Sequence, residues 1–148
     1  MNDGVANPIG DMVRVLVVED NVDDSDLLVR QLQKISFSGS VKVVPDGAEA
    51  WDLLLSDQSC LDLVAIFLDL KLTTLSGVKL LRKIKARSGL CDVPVFVMTS
   101  SNDPDELEEC SRLGVRGYVP KPVSYTAFAK AVADLFHLPS NRHLMRVE

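Results

Sequence analysis

The sequence of 148 residues contains no run of about 20 apolar residues, so no segment reads as a membrane span. It has no basic excess either. Sixteen Lys and Arg against 21 Asp and Glu leave a net charge of −5, which argues against a nucleic-acid or anionic-membrane surface. Cysteine is sparse. Cys60, Cys91 and Cys110 are widely spaced, form no CxxC pair and are odd in number, which excludes a disulfide framework and suits idle thiols in a reducing cytosol. His137 and His143 lack partners at metal-ligand spacing and read as surface residues. Met1 to Asp11 carries two acids, no Lys or Arg and no apolar core, unlike a signal peptide. No glycine-rich turn follows the first apolar run. Glu19-Asp20-Asn21-Val22-Asp23 stands there, and its charge would repel a pyrophosphate, which excludes a dinucleotide or flavin module. What remains is a soluble, cytoplasmic protein.

What is present is a regular alternation of apolar runs and helical patterns. At 47% apolar and 25% charged residues, the composition suits one globular domain with one core. Strands are expected at Arg14 to Glu19, Val41 to Val44, a run ending at Asp69, Pro94 to Thr99 and Gly117 to Val119. Helices are expected between them. Asp23 and Asp24 suit the first turn of the first, and Ser38-Gly39 its stop. Asp46, Ser76, Asn102 or Asp103, and Ser124 are the other N-caps. Pro104 suits a first helical position, Gly114 a C-terminal stop, and Pro139 the end of the last helix. The basic residues among Lys79 to Arg87 alternate with leucines and read as a solvated helix face. Trp51 and Phe67 read as core.

Five strands alternating with five helices predict an α/β fold: a doubly wound, five-stranded parallel sheet with helices on both faces. Strand order 2-1-3-4-5 is one of the two common solutions. Pro45 and Pro120 end strands two and five, the edges in that order, where a sheet tolerates proline. The topological switch then falls between strands one and three, so Glu19, Asp20 and Asp69 converge at their C-terminal tips.

Three crowded carboxylates call for a counter-cation. Mg²⁺ suits oxygen ligands and keeps waters, leaving room for a phosphate. One acid of such a set can act as a nucleophile towards phosphorus, giving an acyl phosphate. The phosphoryl oxygens then need a hydroxyl and a cation. Thr99 and Lys121, at the ends of strands four and five, supply them. Lys121-Pro122, just past a short strand, is a plausible place for a cis peptide that would aim the lysine inward. Singly, each of these residues has a structural explanation as a turn, a cap or a solvated side chain. Their joint placement on four strand tips argues for chemistry.

Glu19-Asp20, Asp69 with Gly77 eight residues on, Thr99, and Gly117-Tyr118-Val119-Pro120-Lys121-Pro122, in this order, resemble the receiver domain of two-component response regulators. The resemblance spans Val13 to Leu138 and implies a flavodoxin-like (βα)5 fold. It divides the chain into a leader at 1–12, a receiver at 13–138 and a tail at 139–148. It implies that Asp69 accepts a phosphoryl group from a sensor histidine kinase, and that Glu19, Asp20, Asp69 and the backbone carbonyl of Lys71 bind Mg²⁺. Thr99 and Lys121 would hold the phosphoryl oxygens, and Tyr118 would be the aromatic switch coupled to Thr99. The protein would be a signalling module and not an enzyme.

Where many receivers have proline four residues after the phosphorylated Asp, Thr73 stands here, which bears on loop rigidity. Lys71 puts a long cation beside Asp69. Thr99-Ser100-Ser101, with no output domain expected after Leu138, is similar to small receivers that partner phytochrome-type kinases. Output would then pass to a downstream protein or a histidine phosphotransfer protein, or through a homodimer formed by the helix 4, strand 5, helix 5 face. A phosphatase or phosphotransferase of haloacid dehalogenase type is the alternative. It would need a general acid where Lys71 stands.

Overall fold

The computed structural model describes residues 12–56, 61–100 and 102–136. The leader up to Asp11, the tail, Cys60, His137, His143 and the expected stop at Pro139 lie outside the described residues. The chain runs β1 (Val13–Val18), α1 (Val22–Lys34), β2 (Ser40–Val44), α2 (Gly47–Ser56), β3 (Leu61–Asp69), α3 (Gly77–Lys85), β4 (Val95–Thr99), α4 (Pro104–Arg112), β5 (Gly117–Pro120) and α5 (Tyr125–Val132). The five strands pair in parallel in the order β2-β1-β3-β4-β5. Pro45 and Pro120 do lie at the two edges, as expected.

Alternation within each strand divides the core in two. Leu16, Val18, Ile66, Leu68 and Val97 face α2, α3 and α4. Val15, Val17, Phe67, Phe96 and Met98 face α1 and α5. Parallel strands covered on both faces become continuous apolar runs, and β4 is buried along its whole length. Phe67 and Phe96 are register partners, stacked 5.1 Å apart, with the Phe128 ring of α5 5.8 Å from Phe67. Trp51 is only half-buried. It packs on the edge of the first cluster, with the Lys83 ammonium 5.4 Å over its ring.

The expected caps hold at Ser76, Asp103 and Ser124, each accepting a hydrogen bond from a first-turn backbone N–H. Gly114, at φ +83°, follows α4 as expected. Two helix ends differ. α1 stops at Ile35, ahead of Ser38-Gly39. Ser36 takes φ 61°, Ser36 N donates to Gln33 O (2.9 Å) and Phe37 N donates to Leu32 O (3.0 Å). This is a Schellman closure with serine at the left-handed position. Gly39 serves space and not the turn: a Cβ there would sit 2.6 Å from the Phe37 ring. A left-handed non-glycine residue costs about 1–2 kcal/mol, so Ser36→Gly is expected to stabilise the fold by about 1 kcal/mol in urea denaturation. α5 ends at Val132, short of the expected Phe136. Leu135 and Phe136 continue as turns that still pack on the second cluster.

Candidate functional site

The sheet register brings the site together. Val18 pairs with Leu68, which places Glu19 beside Asp69 just beyond β1, and Glu19 N extends the ladder by donating to Val44 O (3.1 Å). Thr99 pairs with Pro120, and Lys121 N donates to Thr99 O (3.2 Å), which starts the lysine at the same edge. The Lys121-Pro122 peptide is cis. Glu19, Asp69 and Thr99 are 2%, 2% and 7% exposed, whereas Asp20 faces solvent.

Lys121 Nζ lies 2.7 Å from Glu19 Oε1, 3.2 Å from Asp69 Oδ2 and 3.3 Å from Asp24 Oδ2. Sequence reasoning missed Asp24 as a site residue, because an acid in a first helical turn already has a local explanation. Asn21 is also part of the construction. Its N–H donates to Glu19 Oε2 (3.1 Å), and its side chain caps α1 by accepting from Asp24 N (3.0 Å). Lys71 N donates to Asp69 Oδ1 (3.1 Å), so the backbone after β3 turns back over the carboxylate. The lysine's own side chain is exposed on the rim. Gly77 permits that turn: a Cβ there would sit 2.3 Å from Asp69 O. The result is an open cleft of about 420 Å³ lined by acids, Lys71, Ser100 and Lys121.

Burial pushes the Glu19 carboxyl up to about 7, and neighbouring Asp69 adds to the rise, against the hydrogen bonds from Lys121 and Asn21. Burial alone would lower the Lys121 ammonium pKa, but Glu19 and Asp69 outweigh it and the net shift is upward. Three carboxylates thus surround one ammonium, and Asp20 adds a fourth acid to the cleft. Glu19 Oε1 is buried, with the lysine ammonium 2.7 Å away as its partner. Glu19, Asp20 and Asp69 each offer an oxygen, all within 4.8 Å of one another. An oxygen-only donor set with excess negative charge and an open side fits Mg²⁺.

The raised Glu19 pKa carries a stability consequence. Its folded value lies above the unfolded value of about 4.5, so between these pH values the folded chain holds more protons. This group's contribution is fully present below pH 4.5 and is lost as pH rises through about 7. In chelator, wild-type stability is expected to fall across that window relative to Glu19→Gln. Parallel slopes for the two proteins in pH-dependent urea denaturation would refute it.

A second cavity of about 390 Å³ lies between Thr99, Leu107, Glu108, Ser111, Tyr118 and Pro120. The Tyr118 hydroxyl donates to Leu107 O (3.1 Å) and shares a hydrogen bond with Ser111 Oγ (2.9 Å), which ties the ring to α4. The basic face of α3 is exposed as expected, and Arg82 Nε donates to Glu109 Oε2 of α4 (2.5 Å). Of the described cysteines, Cys91 is half-buried and Cys110 buried, with burial raising the Cys110 thiol pKa. Among the described residues no helix is long and apolar enough to cross a membrane.

Comparison with known proteins agrees with this geometry. The family described as "Response regulator receiver domain" matches residues 15–133. The solved bacteriophytochrome response regulator RtBRR is 34% identical over 84% of this chain and 78% of its own, with a TM-score of 0.73. The Mn²⁺-bound response regulator Rcp1 is 27% identical over 84% of this chain and 87% of its own, with a TM-score of 0.68. The probable methanogenesis regulatory protein FilR2 of Methanothrix harundinacea is 31% identical over 82% of this chain and 79% of its own.

Proposed function

This chain belongs to the response regulator receiver family, and on that premise we propose that Asp69 is its phosphoryl acceptor, with a phosphohistidine of a sensor histidine kinase as donor. The single observation that carries the assignment is the setting of Asp69, buried at the tip of β3 with Lys121 Nζ 3.2 Å from Oδ2 and Thr99 on the adjoining strand. A carboxylate oxygen of Asp69 attacks phosphorus. The P–N bond to the imidazole breaks, and its electron pair returns to the histidine nitrogen. Lys121 and the Thr99 hydroxyl hold the phosphoryl oxygens as charge moves onto them. Glu19, Asp20, Asp69 and the carbonyl of Lys71 hold the Mg²⁺, which when bound neutralises the crowded acids and the incoming phosphate. The receiver unit spans residues 13–138, with 1–12 and 139–148 as flanking segments.

Tyr118 acts as the readout. Thr99 and Tyr118 border the same cavity, so a Thr99 hydroxyl drawn toward the phosphate makes room for the ring on the side it leaves. The α4, β5 and α5 face then changes shape. The output is a protein contact: a downstream protein, a histidine phosphotransfer protein, or a second copy of this chain. The likeness to RtBRR, named for a bacteriophytochrome, supports a phytochrome-type kinase as the partner. The work is signalling, so the protein is a stoichiometric acceptor and not an enzyme in the ordinary sense. Family membership displaces the dehalogenase-type alternative.

Acetyl phosphate tests the acceptor directly. Wild type is expected to gain one base-labile phosphoryl group in Mg²⁺ and none in excess chelator, read by intact mass. Equal labelling with and without the metal would overturn the proposal.

A further inference from the structure

The loop from Leu70 to Ser76 leaves Asp69 and carries the Lys71 carbonyl, yet it has Thr73 at the position where proline would stiffen it. A different device holds it. The Thr74 hydroxyl donates to Asp46 Oδ1, 28 residues away in the chain. The same Asp46 oxygen accepts from Ala48 N (2.7 Å) and Glu49 N (3.3 Å), so it is fixed as the cap of α2. Next to this bond the two loops touch through backbone: a Cβ on Gly47 would sit 2.3 Å from Leu75 O. Leu72 and Leu75 on either side are anchored in the core, and Gly77 N closes the loop by donating to Leu70 O (3.2 Å).

We infer that Asp46 and Thr74 are positioning residues for the cation, a tie between the β2–α2 and β3–α3 loops that fixes where the Lys71 carbonyl stands. The bond crosses between the two segments at their surface end, outside the Gly47–Leu75 contact, where both side chains reach solvent. Without it the loop keeps its core anchors at Leu72 and Leu75 but loses the restraint on its outward swing. The carbonyl two residues beyond Asp69 then samples several positions, and a small ion that demands near-ideal octahedral geometry binds less well.

The inference rests on the reading of Glu19, Asp20, Asp69 and the Lys71 carbonyl as the ligand set. Its test is calorimetric Mg²⁺ titration of the full chain, with no phosphoryl donor present. Thr74→Val removes the donor and leaves Asp46 capping α2, so affinity is expected to fall on the order of tenfold. Thr74→Ser keeps the hydroxyl and is expected to restore it. Urea denaturation in chelator is expected to differ little between the three proteins, which separates positioning from general stability. If wild type binds no Mg²⁺, the ligand set itself is wrong. If wild type binds and Thr74→Val binds equally well, or Thr74→Ser is as weak as Thr74→Val, the tie is not a positioning device.

Discussion

Asp69→Asn, incubated with acetyl phosphate and Mg²⁺, is expected to gain no base-labile phosphoryl group, a complete loss of the wild-type adduct. The substitution is nearly isosteric. The side-chain oxygen can still accept the hydrogen bond from Lys71 N, so the loop over the site keeps its anchor. Lys121 retains Glu19 at 2.7 Å and Asp24 at 3.3 Å, so the ammonium is not stranded. What disappears is the carboxylate nucleophile, and a neutral amide does not form a stable acyl phosphate. One of the crowded charges goes as well. Asp69 helps to raise the Glu19 carboxyl, so the chelated variant is expected to be at least as stable as wild type. An adduct of undiminished size in Asp69→Asn would sink the assignment of the acceptor, and the circular dichroism spectrum of the variant guards against reading misfolding as chemistry.

Lys121→Met is expected to cost about 3–5 kcal/mol of stability in chelator at about pH 8. Methionine keeps the apolar stem and removes the charge. Two carboxylates that are almost fully buried, Glu19 and Asp69, then face each other without their ammonium. The sign of the pH dependence follows from Glu19. Its folded pKa is already about 7 with the lysine in place and climbs further without it, above an unfolded value of about 4.5. The folded variant therefore binds more protons than the unfolded chain, and its stability falls as pH rises. At about pH 5 Glu19 is protonated in both folded proteins, and the difference between them shrinks to what Asp69 contributes. Mg²⁺ is expected to return part of the loss at the higher pH. An equal penalty at both pH values would mean that lost packing, not unpaired charge, is the cause.

The strand tips were legible because a doubly covered parallel strand is an apolar run with a hard end. Asp69 and Thr99 close such runs, and Glu19 stands one residue past one. Pro45 and Pro120 made the edges legible by what they cannot donate. Cross-chain pairing was illegible wherever a residue already had a local role. Asp24 reads as a first-turn acid and also stands 3.3 Å from Lys121. Asp46 reads as a cap and also accepts from Thr74. The end of α1 was misplaced because glycine is the usual sign of a left-handed residue, and Ser36 takes that conformation without being one. The length of α5 was overestimated because Leu135 and Phe136 are apolar at helical spacing, yet they pack on the core from turns.

The Tyr118 hydroxyl bonds to Leu107 O and Ser111 Oγ in the resting chain. Each bond is worth about 1 kcal/mol net, and together they favour the ring position against α4 by a factor of about 30. With Tyr118 as the readout proposed above, that pair of bonds would act as a noise filter: thermal agitation alone would free the ring only rarely. On the same proposal, Ser111→Ala, which removes one bond, would raise the background of an unstimulated pathway before it changed the size of a stimulated response.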